Sequence, residues 1–432
     1  MRKRFWALGV AAAAVVASAL VSQAAPAATG LHISGRDIVE ANGQKFILRG
    51  VNHEHVWFQS QTKAFADVKA LGANTVRVVL GSGKRWGPSN DVSQIIGLCK
   101  QNRMICVLEV HDTTGYGEEG AAASLDDAVN YWISQKTVLA GQEDYVIINI
   151  GNEPIGNTNP AQWTDATVNA VRKMRANGFG HLLMVDAPNW GQDWQNVMRA
   201  NAPAVWNADE RRNTVFSIHM YSVYSQASTI TAYFDAFQNM GLPLVVGEFG
   251  WRFASGEVDH ETVLAEAQRR GLGYLGWSWA GNNDPVLDMA ANFDATRLTT
   301  WGDRIFNGAN GIKATSKEAT IFGGVPPTTP PPGKACTAAY SIAGQWPGGF
   351  QGDVKVTAGG TAVSGWTVTW TFVGGQSVTQ AWNATVSGSG SSVTAVNVAH
   401  NGTLAAGASA TFGFLGSWSG TNPVPAVTCT AR

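Results

Sequence analysis

Between Phe46 and Trp279 eight short apolar runs recur, at 46–51, 75–80, 105–110, 145–150, 182–186, 215–220, 244–247 and 273–279, each parted from the next by a longer stretch of helical periodicity. An apolar run this short reads as a strand buried on both faces rather than as a helix. Strands that alternate with helices call for right-handed crossovers and a parallel sheet. Eight such units predict a closed (β/α)8 TIM barrel. An open doubly wound sheet is the competing arrangement, but no Gly-rich phosphate turn follows any early strand. Ahead of the first run, 31–46 reads as a small hairpin with Asn42-Gly43 at its turn, placed to close the bottom of the barrel.

The barrel accounts for only part of the 432 residues. Met1-Arg2-Lys3-Arg4, an Ala-rich apolar stretch from Phe5 to Val21, and small residues up to Ala28 have the three parts of a secretory signal, so 1–27 is expected to be removed and the protein secreted. The apolar stretch is short for a membrane anchor, and no later segment reaches spanning length. The net charge of -1, falling to about -4 without the signal, is too mild to suggest a nucleic-acid or anionic-membrane partner. Gly323 to Gly333, rich in Pro and Thr, reads as a spacer. The expected layout is therefore a barrel domain at 28–322, a linker at 323–335 and a second domain at 336–432.

That second domain changes texture. Strict alternation in Trp366-Thr367-Val368-Thr369-Trp370-Thr371-Phe372, with turn residues every ten or so positions, predicts an all-β sandwich with Trp366 and Trp370 in its core. Between Cys336 and Cys429 only Asp353 and Lys355 are charged, which suits a neutral binding surface. An oxidising destination admits disulfides for Cys336 with Cys429 and for Cys99 with Cys106, the alternative for the second pair being free core thiols.

In a barrel of this kind chemistry gathers at the C-terminal ends of the strands. The polar or aromatic residues that end the runs are Asn52, His53 and His55; Arg77; Glu109, His111 and Asp112; Asn152 and Glu153; Asp186 and Asn189; His219 and Tyr221; Glu248; and Trp277 and Trp279. Glu153 and Glu248 each end an apolar run, where an unpaired carboxylate is expensive, and two such acids suggest paired acid and nucleophile chemistry. Glu109, two residues before His111 on one strand face, reads as a supporting residue. The acidic loop residues Glu257, Asp259 and Glu261 read as solvated rather than as a calcium site.

Asn152-Glu153-Pro154, Glu248, Arg77, His219-Met220-Tyr221 and Trp277 together resemble glycoside hydrolase family five. His111 to Glu118, Asp186 to Trp194 and Ile218 to Tyr224 narrow the resemblance to the secreted bacterial endo-β-1,4-mannanases of that family. The resemblance implies a retaining mechanism with Glu248 as nucleophile and Glu153 as acid/base, and no metal or organic cofactor. It implies that Arg77 and Tyr221 keep Glu248 ionised, that Asn152 holds the sugar 2-hydroxyl, that His111 and His219 line the cleaved sugar's site and that Trp277 stacks beneath it. Trp190, Trp194 and Trp251 are loop residues that extend the cleft in this reading. A monomer acting on β-mannan polysaccharide is expected, and an endo-β-1,4-glucanase with the same catalytic residues is the rival.

Gln345-Trp346-Pro347-Gly348-Gly349-Phe350, Gly365 to Trp370, Gln380-Ala381-Trp382-Asn383 and Gly413-Phe414 resemble a family-two cellulose-binding module. The resemblance implies a flat row of exposed tryptophans for a cellulose or mannan surface, with Trp346 and Trp382 at two of three positions. At the third, Val398-Ala399-His400-Asn401-Gly402 carries histidine, which implies weaker or more mannan-tolerant binding; Trp418 is placed to replace part of the missing ring.

Overall fold

A computed structural model describes residues 30–253, 256–323, 336–359, 362–389, 391–425 and 427–432. The expected signal at 1–27 and all of the linker after Gly323 lie outside the described residues. The chain divides into two compact units between Gly324 and Val325.

The first unit is a closed barrel of eight parallel strands: β1 (Arg49–His53), β2 (Thr75–Leu80), β3 (Ile105–Val110), β4 (Val146–Asn149), β5 (Leu183–Asp186), β6 (Thr214–Met220), β7 (Leu244–Phe249) and β8 (Gly273–Gly276). β8 pairs with both β7 and β1, which closes the ring. Each strand is followed by a helix: α1 (Lys63–Ala70), α2 (Val92–Gln101), α3 (Leu125–Ser134), α4 (Trp163–Ala176), α5 (Val197–Ala208), α6 (Ala227–Met240), α7 (His260–Arg270) and α8 (Thr300–Asn307). β1 lies further along the chain than its apolar run suggested, which puts Asn52 and His53 inside the strand, and β8 stops before Trp277.

Period-two alternation splits each strand between two environments. Cys106, Leu108, Val110, Val146 and Ile148 face the helices in one large apolar cluster. Ile105, Val107, Ile147, Met184, Val215 and Val245 fill the lower interior, sealed by Leu31, Ile38 and Phe46 from the segment before β1. That segment closes the bottom as expected, but with a different turn. The hairpin pairs His32–Ser34 with Asp37–Val39 around Gly35, whose φ of 62° is open to glycine at no cost. Asn42-Gly43 makes the next turn, with a bridge between Val39 and Lys45.

The parity that buries Ile105 and Val107 at the bottom carries Glu109 into the upper interior. The same rule delivers Arg77, Asn149, Asp186 and His219, all fully or almost fully buried. Between β6 and β7 the register slips: Ile218 pairs with Val246, but His219 pairs with Glu248. A bulge of this kind re-aims the following side chain. Gly247 makes it feasible, since a Cβ there would lie 2.1 Å from Ser217 Oγ and 3.2 Å from His219 Nε2.

The second unit is a sandwich of two four-stranded antiparallel sheets. Its strands are β9 (Cys336–Trp346), β10 (Gly349–Ala358), β11 (Trp366–Thr371), β12 (Ser377–Trp382), β13 (Ala384–Ser389), β14 (Ser392–Asn397), β15 (Ser409–Ser417) and β16 (Val427–Ala431). One sheet runs β9-β10-β15-β12 and the other β13-β14-β11-β16. Trp366 and Trp370 are buried between them against Phe412 and Phe414. Cys336 and Cys429 are bonded, which ties β9 to β16 across the two sheets.

The other cysteines correct an expectation. Cys99 on α2 and Cys106 on β3 are free thiols, buried with their sulfurs 2.7 Å apart. Packing of α2 on β3 brings them together. Burial, and then the hydrogen bond to Cys106, push the Cys99 thiol well above its ordinary value, which suppresses the thiolate needed for exchange.

Candidate active site

Arg77 organises the upper interior. Its guanidinium donates to Glu248 Oε1 (2.8 Å), Asn52 Oδ1 (2.9 Å), Asn149 Oδ1 (2.9 Å), Asn152 Oδ1 (2.7 Å) and Asp186 Oδ2 (3.1 Å), and lies 3.6 Å from Glu109 Oε1. All five N–H donors of an arginine can be satisfied in such a cage, and no lysine could replace them. Tyr221 donates its phenol to Glu248 Oε2 at 2.8 Å, so both oxygens of Glu248 are held.

His219 bridges the two acids of the strand ends. Its Nδ1 is 2.8 Å from Glu153 Oε1 and 3.5 Å from Glu248 Oε2, and its Nε2 is 3.3 Å from Asp186 Oδ2. One carboxylate oxygen each from Glu153 and Glu248 and a ring nitrogen of His219 all lie within 4.8 Å of one another. Glu153 has a φ of 37°, in the left-handed region that is costly for this residue type. Its strained backbone turns the side chain back over the barrel mouth, next to Asn152.

The charges follow from this packing. Burial pushes the His219 imidazole down, but Glu248 and Asp186, with hydrogen bonds to Asp186 and Glu153, more than reverse that and raise it to about 10. His219 is therefore a cation at neutral pH. Burial opposes ionisation of Asp186, yet His219 and Arg77 hold it down at about 2. Burial lifts Glu248 above the ordinary carboxylate range against the pull of His219 and Arg77, with Glu153 adding to the rise. The contacts from Arg77 and Tyr221 are those expected; the dryness of the site outweighs them. For His111 burial is likewise outweighed, by Glu109 at 2.9 Å, and its value is raised.

Above this cluster lies a cleft of about 430 Å³ lined by Glu153, Glu248, His111, Asn152, Tyr221 and Trp277, with Trp190 and Trp194 on one wall. His219 supports it from below, fully buried. Trp277 donates its indole N–H to Asn282 Oδ1 at 2.8 Å and stacks near His111, with ring centroids 5.7 Å apart. Asn152 gives Oδ1 to Arg77 and one N–H to Thr114, which leaves one N–H for a ligand. Trp190 and Trp194 are oriented by Glu118 and Asn157. Trp251 instead packs on the barrel core and donates to Val286 O, and Trp279 is fully buried against Phe306.

In the sandwich, Gly349, Gln351 and Asp353 share one parity on β10, opposite to the buried Phe350, Val354 and Val356. Trp346 lies over Gly349, and Trp382 lies over Gly413, which pairs with Asp353, so both indoles rest on one outer face. They are 48% and 38% exposed, enough to offer flat apolar surface. Trp418 is half-buried and donates to Gly349 O. The turn carrying His400 is tied to Asn383, next to Trp382, through Asn401.

Residues 39–283 match the cellulase family, glycosyl hydrolase family 5, and residues 336–431 match the cellulose binding domain family. The chain belongs to glycosyl hydrolase family 5. It is 56% identical over 307 residues to a mannan endo-1,4-β-mannosidase of Streptomyces lividans, covering 70% of this chain and 80% of that one. The crystal structure of a β-mannanase from Streptomyces thermolilacinus superposes with a TM-score of 0.68 at 60% identity, covering 68% of this chain and all of that chain; it has also been solved with mannohexaose. A β-mannanase from Thermomonospora fusca gives a TM-score of 0.68 at 59% identity over the same share of this chain.

Not every strand-end residue of this family 5 barrel reaches the cleft. His53 is fully buried against Phe65, and burial, then His55, pushes it down to about 3; it is a neutral core residue. His55 pairs with Asp91 at 2.7 Å. Asp112 accepts backbone N–H groups from Ser82, Lys84, Arg85 and Trp86, anchoring the loop after β2. Of the acidic loop, Glu257 pairs with Arg252, Asp259 caps α7 and Glu261 pairs with Arg304.

Among the described residues the one group arranged to ligate an ion is Glu153, His219 and Glu248. There Arg77 and the protonated His219 already supply the positive charge. Sequence reasoning missed Asn149 and Glu54. Asn149 sits within an apolar run, and only its parity with Ile147 marks it as facing the interior.

Proposed function

We propose that this chain is an exported, monomeric, retaining endo-β-1,4-mannanase that hydrolyses internal linkages of mannans, glucomannans and galactomannans, and that its C-terminal module tethers it to cell-wall polysaccharide. The observation that carries the mechanism is the spacing of the two acids, whose nearest oxygens lie within 4.8 Å. Carboxyl groups about 5–5.5 Å apart suit double displacement, whereas inversion needs about 6.5–9.5 Å to admit a water. Relatives at 56–60% identity that are named mannanases support the choice of mannan over glucan. Among the described residues no helix is long and apolar enough to cross a membrane.

A mannosyl unit stacks on Trp277 with its anomeric carbon over Glu248. Glu153 begins protonated and transfers that proton to the glycosidic oxygen as the C–O bond breaks, while a Glu248 oxygen bonds to the anomeric carbon. Glu153 Oε1 accepts from His219, so Oε2 is the oxygen free to carry the proton. Arg77, Tyr221 and the His219 cation hold the charge that Glu248 brings to the attack. Asn152 directs its free N–H to the sugar 2-hydroxyl. Glu153 then removes a proton from water, which attacks the same carbon and releases Glu248.

The test is reducing-sugar release from mannan and from soluble cellulose, with wild type beside Glu248→Ala. Mannan should be cleaved faster, and the variant should lose at least about 10³-fold, in the range of a lost catalytic group. Faster release from the glucan would reject the substrate, and an active Glu248→Ala would reject the nucleophile.

A further inference from the structure

Glu54, in the loop just after β1, takes no part in the catalytic steps, yet it is 3% exposed and lines a second cavity of about 710 Å³. That cavity shares Trp277 and Phe253 with the catalytic cleft, and neither Glu153 nor Glu248 lines it.

The surroundings of Glu54 are wrong for a carboxylate. Glu54 hydrogen-bonds to Ser278, faces the negative charges of Asp288 and Glu248, and has His111 as a countervailing cation. Its Oε2 is buried with no hydrogen-bond partner. An ionised carboxylate in that position would leave a full charge desolvated and unpaired. From Ser278 a chain of hydrogen bonds leads to the sugar platform: Asn282 Nδ2 donates to Ser278 Oγ (2.9 Å) and to Asp288 Oδ1 (2.7 Å), and Asn282 Oδ1 accepts the Trp277 indole N–H (2.8 Å).

We propose that Glu54 is a positioning residue that works as an uncharged acid, bracing the Trp277 platform through Ser278 and Asn282, and that its ionisation disables the enzyme on the alkaline side. Burial, with Asp288 and Glu248, raises its carboxyl to about 8 against the Ser278 hydrogen bond and His111. Above that value a third anion forms beside Glu248 and Asp288, and the chain to Trp277 must rearrange to accommodate it. A platform displaced by about 1 Å is enough to cost on the order of 10²-fold in rate.

This inference rests on the hydrolase reading, so the experiment separates the two. The kcat/KM of the full chain is measured from pH 6 to 10 on mannopentaose and cellopentaose for wild type, Glu54→Gln, Glu54→Ala and Asn282→Ala. Failure of wild type to prefer mannopentaose would count against the substrate assignment alone; the pH comparison then runs on whichever sugar is cleaved. Glu54→Gln, a permanently neutral isostere, should stay within about 3-fold of wild type at pH 7 and should lose the fall in rate near pH 8. Glu54→Ala should lose on the order of 10-fold at pH 7, and combining it with Asn282→Ala should cost less than the two losses multiplied. An unmoved alkaline limb in Glu54→Gln, or independent losses in the double variant, would overturn the proposal.

Discussion

Arg77 Nη1 donates to Glu248 Oε1 across 2.8 Å from a side chain with no solvent exposure at all. This buried pair makes Arg77 both a structural and a chemical residue, because Glu109 and Asp186 depend on the same guanidinium. Arg77→Met removes the one guanidinium that these three buried acids share, leaving only His219 and His111 against them, and should destabilise the barrel by about 3–5 kcal/mol. Arg77→Lys keeps the charge but not the fork, and should fold better than Arg77→Met while losing most of the activity. Denaturant unfolding and kcat on mannan check the two effects separately.

His219 gives the barrel a pH signature. Its value is raised in the folded state from 6.5 to about 10, so the folded protein holds a proton that the unfolded chain releases earlier. Its stabilising contribution is complete below pH 6.5 and is lost as pH rises through 10. Unfolding free energy should therefore fall with pH across that window. In His219→Gln the slope should be shallower, which a series of urea melts would show.

The sandwich face predicts a separation of functions. Trp346→Ala and Trp382→Ala remove flat exposed rings without touching the buried Trp366 and Trp370. Each should weaken retention on insoluble cellulose or mannan by on the order of 10-fold, equivalent to ~1.4 kcal/mol. Hydrolysis of soluble mannan should be unchanged. Restoring the row with His400→Trp should tighten binding to cellulose in a pull-down.

Much of this was legible in the chain because burial in a parallel barrel leaves a periodic trace. The run from Ile105 to Val110 ends in Glu109 and His111 on one face, and the structure brings that pair together at 2.9 Å. Glu153 and Glu248 were marked by the cost of placing acids at the ends of apolar strands. Asn149 and Glu54 were not, since an amide inside an apolar run and an acid in a loop look ordinary until three-dimensional packing surrounds them. The β1 shift has the same origin: Phe46 and Leu48 belong to the bottom seal, not to the barrel wall, and hydropathy does not distinguish the two. Nor does spacing reveal that Cys99 and Cys106 meet as thiols.

A covalent glycosyl intermediate on Glu248, with Glu153 as acid and then base, leaves its mark in the stereochemistry of the product. Proton NMR of mannopentaose hydrolysis, followed from the first seconds, shows the anomer that is released before mutarotation. Retention predicts β-anomeric reducing ends as the first product, in keeping with acid oxygens that lie within 4.8 Å of each other. Initial release of the α-anomer would mean a single displacement by water and would rule out a Glu248 intermediate.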